Sequence, residues 1–313
     1  MRNFTNVYYP EGIFIATPEN REYIITEEGL CRALALGKIL EATAVRASQD
    51  MTLTVELGSM TGYIPREEAA LVPEGEEVRD IAVITRVGKA VCFKVTGFFT
   101  DRDGRRAAML SRRAAQRECS EAYLSSLERG DIIDARVTHL EHFGAFCDVG
   151  CGIVSLLSID CISVSRIAHP RDRFTVGQYI KCAVREIEQE SGRIYLTHRE
   201  LLGTWEENAA NFSVGMTVAG VVRSVEEYGI FVELTPNLAG LAEYRADVAA
   251  GQTAAVYIKN IIPEKMKIKL VLIDSGRGEP RSPELRYYMP PQPHIDRWRY
   301  SPQSASKVIE TVF

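Results

Sequence analysis

Two short stretches hold the residues with the most chemistry to offer. EHFGAFCDVG, residues 141–150, is echoed 85 residues later by EEYGIFVELT. Each sets an aromatic, a glycine and a second aromatic at one spacing: Phe143, Gly144 and Phe146, then Tyr228, Gly229 and Phe231. Such rings supply no acid, base or nucleophile. Exposed in pairs, they make a platform on which unpaired nucleobases stack, worth about 1–3 kcal/mol per base. Cations lie near both stretches. Arg185, Arg193 and Arg199 follow the first, and Lys265, Lys267 and Lys269 recur at every second residue in EKMKIKL after the other. A cation beside the rings fixes a phosphate while stacking tolerates any base. An edge strand guarded by lysines is an equal reading of the second group.

Other chemistry is not legible. The chain has no G-x-x-x-x-G-K-[ST], H-E-x-x-H or G-x-S-x-G, and its five histidines are scattered. His169, followed by Pro170, reads as a loop residue, and DRDGR at 101–105 as a hairpin turn, since it lacks the remaining ligands of a calcium loop. Seven cysteines without C-x-x-C spacing read as reduced, mostly buried thiols. The expectation is a non-enzyme with no catalytic residues, no metal and no cofactor.

Positioning such rings requires a rigid scaffold, and 313 residues, 46% hydrophobic and 25% charged, suffice for two or three domains. A net charge of −5 argues against coating a polyanion by bulk electrostatics, so local groups must hold it. No apolar run approaches the roughly 18 residues of a membrane span, and MRNFTN lacks the layout of a secretory signal, so a cytoplasmic protein with no membrane partner is expected.

The scaffold is repetitive. LERGDIIDARVTHLEHFGAFCDVGCGIVSLLSID with FTVGQYIKCAVREIEQESGRIYLTHRE matches FSVGMTVAGVVRSVEEYGIFVELTPNLAGLAE with VAAGQTAAVYIKNIIPEKMKIKLVLID. Gly130 and Gly215 each precede the first aromatic by thirteen residues, and Gly177 and Gly251 open the later parts. A fainter unit, LALGKILEATAVRASQDMTLTVELGSMTGYIPREE, keeps Gly37, Gly58 and Gly62 but not the aromatics. Ala145, Cys147 and Val149 alternate with Phe146 and Asp148, and Ile230, Val232 and Leu234 with Phe231 and Glu233, as in small β-barrels packed on one face and wet on the other. Phe146, Asp148, Phe231 and Glu233 then meet solvent. Strict parity turns Phe143 and Tyr228 inward, whereas a bulge at Gly144 and Gly229 brings both rings of each pair to the outer surface.

With G-x-x-x-x-[GA]-x-V near each start, then [FY]-G-x-F, V-G-Q or A-G-Q and the closing GRIYLTHRE, the chain resembles the S1 domain of bacterial ribosomal protein S1. SRIAHPRDRF and LLGTWEENAANF resemble stretches of S1-type proteins from Gram-positive bacteria. The resemblance implies an all-β fold, a tandem array of three five-stranded OB-fold barrels with short helical linkers. Its bounds are an N-terminal extension 1–35, a degenerate barrel 36–115, barrels 127–200 and 212–274, and a tail 275–313 rich in proline, arginine and aromatics. It also implies an RNA face made of Phe143, Phe146 and Arg193 in the second barrel and Tyr228, Phe231 and Lys267 in the third. Ser158 and Glu243 stand where the family has a histidine, and Glu243 repels phosphate. In the first barrel Met51 and Thr54 replace the rings and Pro65 the histidine, which removes it from RNA binding, while GYIPREE resembles the family's protein-docking leading domains.

The implied function is non-catalytic binding of single-stranded RNA, mRNA in translation, on the small ribosomal subunit or as a separate S1-like factor. Two other readings are a protein-interaction scaffold with decayed RNA sites and the RNA-gripping subunit of an RNA-processing or transcription complex. At the ends, Thr26 is expected to cap a helix that carries Glu27 and Glu28 in its first turn. RGEPRSPELRYYMPPQPHIDRWRYSPQ has too few aliphatic residues for a core and is expected to be mobile or partner-bound, offering Trp298 to RNA or protein; a strap over the last barrel is the other reading.

Overall fold

The structure, a computed structural model, describes residues 8–276 and 285–313. The expectations for MRNFTN and for RGEPRSPE fall outside the described residues.

Short β-branched runs ended by glycine turns close into three five-stranded barrels. The first is built from β1 (Ile39–Ala47), β2 (Leu53–Glu56), β3 (Thr61–Ile64), β4 (Ala90–Thr100) and β5 (Arg106–Ser111). The second has β6 (Ile132–Glu141), β7 (Gly144–Gly150), β8 (Ile153–Ser158), β9 (Tyr179–Ile187) and β10 (Ile194–Thr197). The third has β11 (Thr217–Glu226), β12 (Gly229–Thr235), β13 (Leu238–Ala242), β14 (Thr253–Ile262) and β15 (Lys267–Gly276). In each, the third and fifth strands pair in parallel and close an otherwise antiparallel meander, the topology of an OB-fold. Closure leaves no free edge, so β15, paired on both sides, is not the lysine-guarded edge strand considered above.

Among the described residues five α-helices accompany the strands: α1 (Pro18–Ile24), α2 (Glu27–Leu36), α3 (Asp80–Ile84), α4 (Arg112–Ala122) and α5 (Trp205–Ala209). Thr26 caps α2, its hydroxyl accepting from Gly29 N–H at 3.0 Å, and Leu30 and Ala33 join the first barrel's core.

The described chain divides into two compact units. One holds the residues up to Leu127 with Asp134–Arg136 and Asp148–Val154; the other holds Glu128–Ile133, Val137–Cys147 and Ser155–Phe313.

In the first unit, alternation correctly turns Asp148 away from the barrel interior, yet it is buried, because the chain around Glu11 covers it. Its carboxylate accepts from the backbone N–H groups of Glu11 at 2.7 Å, Gly150 at 2.9 Å and Gly152 at 3.0 Å. Burial, with the negative charge of Glu11 beside it, pushes Asp148 up to about 7. Glu11 is itself clasped by Arg112, at 2.7 and 3.1 Å. Glu41 accepts three backbone N–H bonds on one oxygen, from Gly12, Phe14 and Ile15, each 3.0 Å long, and burial lifts it to about 7.

In the second unit, Glu233 also departs from expectation. It is fully buried between Arg173, from the connection before β9, and Arg223 of β11. The tail corrects a further expectation. β16 (Arg297–Arg299) and β17 (Glu310–Val312) form a hairpin, and Trp298 and Tyr300 enter the third barrel's core cluster. Tyr300 Oη donates to the Asn237 carbonyl at 2.6 Å, and the Lys181 N–H donates to Tyr287 Oη at 3.1 Å. Backbone bonds Ile132 N to Pro293 O and Ile295 N to Gly130 O, both 2.9 Å, stitch the segment to the start of β6. The tail lacks aliphatics, but a buried Trp or Tyr supplies about 150–250 Å² by itself, so a strap forms where a mobile tail was expected.

Candidate nucleic-acid interface

Phe143 lies in the turn that joins β6 to β7, and its carbonyl is held by the Ile159 N–H at 2.9 Å. Being outside the strand, it escapes the strand's alternation and is 55% exposed; Tyr228, in the matching turn, is 70% exposed. Phe146 and Phe231 face outward from β7 and β12 and are half-buried. The rings pair in the same way in both barrels: Phe143 and Phe146 at 5.9 Å and 90°, Tyr228 and Phe231 at 6.1 Å and 85°. Each pair thus makes an L-shaped notch, its two rings at right angles.

The glycines work otherwise than expected. In the third barrel the register shift lies on β11 between Val222 and Ser224, not at Gly229. Glycine is required because β7 and β12 run tight against the next strand: a Cβ on Gly144 would stand 2.5 Å from the Leu157 carbonyl oxygen, and one on Gly229 2.5 Å from that of Ala242.

The cations are less uniform than the rings. Paired residues of neighbouring strands share a face, so the row Ser224–Phe231–Leu241–Lys269 crosses the third barrel on one side. Lys269, two strands from Phe231, is therefore about 10 Å away at the backbone, and Lys267 lies farther along β15 on the same side. The structure favours Lys269 over Lys267 as the nearer cation. Lys265 sits in a turn before β15. In the second barrel Tyr195 pairs with Leu156 and takes the place of Lys269, while Arg193, exposed at the entry to β10, takes that of Lys267. Arg199 is committed elsewhere, to Glu200 at 3.1 Å, the Asp160 carbonyl at 3.3 Å and Thr311 at 3.4 Å. Arg185 donates to Cys161 Sγ at 2.6 Å.

One residue escaped sequence reasoning. The ring of His139, on β6, lies 6.3 Å from Phe146 at 28°, beside the second barrel's ring pair. Its signal was its place, 85 residues before Ser224, which pairs with Phe231. His169 caps a short turn, its Nδ1 accepting from the Arg171 N–H at 3.1 Å. All seven cysteines are free, six of them buried. Among the described residues no cluster of His, Cys, Asp and Glu has the make-up of a metal site, and no helix is long and apolar enough to cross a membrane.

Residues 126–199 match the family model of the S1 RNA binding domain. The small ribosomal subunit protein bS1 of Rhodopseudomonas palustris is 31% identical over 193 residues, 60% of this chain and 32% of that protein. The Bacillus subtilis bS1 homolog is 29% identical over 268 residues, 83% of this chain and 66% of that protein. The chain thus spans about a third of the first relative's length and just under two thirds of the second's. A multidomain protein with nucleic acid binding domains from Streptococcus pneumoniae is similar over 78% of this chain and 75% of its own, at 16% identity and a TM-score of 0.25. The chain thus combines three OB-fold barrels, an S1 RNA binding domain match over its second barrel and similarity to bS1 proteins over 60–83% of its length.

Proposed function

We propose that the chain binds single-stranded RNA without catalysis, through the notches Phe143–Phe146 and Tyr228–Phe231, and acts on mRNA in translation at the small ribosomal subunit in the cytoplasm. The observation that carries the reading is the same perpendicular ring pair, outward-facing, in two successive barrels. Folding alone gives no reason to expose two rings twice at one spacing. Support for the setting comes from the S1 RNA binding domain match and from relatives named as small-subunit proteins. Arg193 and the pair Lys267 and Lys269 hold phosphates beside the notches.

The test is the affinity of fluorescent single-stranded RNA for the wild-type chain and for the folded Phe146→Ala, Phe231→Ala variant. A loss of at least tenfold, about 1.4 kcal/mol, is expected. With two or three phosphates neutralised, log affinity falls with log salt by about 0.7 per contact. An unchanged affinity in the variant sinks the proposal.

A further inference from the structure

By the two-aromatic pattern the first barrel is silent toward RNA, with Met51 and Thr54 in place of the rings. Its strand register tells otherwise. Across the outer side of this barrel Arg46 pairs with Thr54, Thr54 with Tyr63, Tyr63 with Met109 and Met109 with Gly97. The matching row of the third barrel reads Ser224, Phe231, Leu241, Lys269 and Asn260. Thr54 thus takes the place of Phe231, but Tyr63 takes that of Leu241. The ring is displaced by one strand, about 4.8 Å, and remains on the same face.

A second ring accompanies it. Phe99, two residues beyond Gly97 on β4, lies 5.7 Å from Tyr63 at 57°, a separation close to that of the notches in the other barrels. Tyr63 and Phe99 are half-buried, as Phe146 and Phe231 are. They are not part of the barrel's hydrophobic core, whereas the neighbouring Phe98 packs against it. At Gly97 the surface of the row is open, with no heavy atom within 4 Å of where its Cβ would stand. Arg46 is exposed at the head of the row, and among the described residues it makes no ion pair.

We propose that the first barrel also binds single-stranded RNA, with an unpaired base stacked on Tyr63 against the wall of Phe99 and a phosphate held by Arg46. The inference goes beyond the reading for the second and third barrels and stands on different residues. Glu56, exposed two residues after Thr54 on the same side of β2, makes this the weaker site, one for a nucleotide or two.

The test is photocrosslinking of the full chain to a uridine oligomer bearing thiouridine, with the modified peptides mapped by mass spectrometry. Adducts at Tyr63 or Phe99 are expected in the wild type and in the Phe146→Ala, Phe231→Ala variant. Adducts at other residues of the first barrel should fall at least fivefold, about 1 kcal/mol of stacking, in Tyr63→Leu, Phe99→Leu and be retained in Tyr63→Phe. Adducts confined to the second and third barrels overturn this inference, leave the proposed function standing and return the face to protein docking. First-barrel adducts that persist undiminished in Tyr63→Leu, Phe99→Leu also overturn it. Adducts in the first barrel alone uphold it and defeat the proposed function, and a chain with no adducts defeats both.

Discussion

Removing the carboxylate of Glu233 should cost more stability than removing any exposed charge in this protein. Its oxygens receive Arg173 Nη2, Arg223 Nε at 2.8 Å and Arg223 Nη2 at 3.1 Å, with the side chains of Glu233 and Arg173 wholly buried. Burial, with the like charge of Arg223 beside it, pulls the Arg173 pKa down, against the pull of Glu233. Glu233→Ala leaves that guanidinium enclosed and unpaired, and breaking such a pair from one side costs about 3–5 kcal/mol. At roughly 2–4 °C per kcal/mol for a body of 150–250 residues, the melting transition of the second unit should drop by about 6–20 °C. Glu233→Gln, which keeps the shape but sets an amide N–H₂ against a guanidinium, should fall between the wild type and Glu233→Ala. Because the pair is buried, about 1 M salt should not level the difference. Calorimetry of the full chain is the assay. Glu233 follows Phe231 by two residues on β12, so RNA affinity should weaken as well. A shift under about 1 °C, or one abolished by salt, would refute the reasoning that this buried triad stabilises the second unit.

Acidity should move the two units in opposite directions. Burial pushes His198 down to about 4 from 6.5, so its contribution is complete above pH 6.5 and is lost as pH falls toward 4, by up to about 3 kcal/mol; the second unit's melting temperature should fall over that window, and His198→Gln should flatten the slope. Glu41, lifted to about 7, is the reverse: stability is complete below its unfolded pKa near 4.5 and is lost as pH rises through 7, so Glu41→Gln, which retains an acceptor oxygen, should raise the first unit's melting temperature at pH 8 and leave it nearly unchanged at pH 4. Gly144→Ala and Gly229→Ala should each cost about 1–3 kcal/mol by driving a methyl onto a carbonyl, whereas Gly276→Ala, where the space is open, should be nearly neutral in the same urea titration. Trp298→Ala should destabilise the third barrel by about 3–5 kcal/mol, and tail amides should then exchange hydrogen faster than the barrel strands.

Repetition made the barrels legible: period-two alternation and the recurring glycines place strands without any knowledge of pairing. Parity likewise placed Phe146 and Phe231 on the outside. Parity says which way a side chain points, but not what lies over it, so Asp148 and Glu233, both pointing outward, were taken for solvent-facing although distant chain covers them. Lys269 and Tyr63 were missed as members of a shared row for a related reason, since strand register, across a parallel pair for Lys269 and an antiparallel pair for Tyr63, leaves no mark in a local pattern. His139 could have been found by extending the repeat backward onto the preceding strand. The tail was misjudged because its composition counted aliphatics, while two aromatic side chains suffice to fasten it.

Fastening the last barrel with Trp298 and Tyr300 also fixes an order of events during synthesis. The strands of the first barrel are complete once Ser111 has been made, and α1 and α2, which close it, precede them. The third barrel's strands end at Gly276, yet its core still lacks two large rings that arrive more than twenty residues later. The nascent chain therefore passes through an interval in which one barrel is finished and another is fully threaded but unsealed, with apolar surface exposed to neighbouring chains on a polysome. Slow decoding of the proline-rich stretch between Gly276 and Trp298 would lengthen that interval, and its codons are where the yield of folded protein should be most sensitive to translation speed.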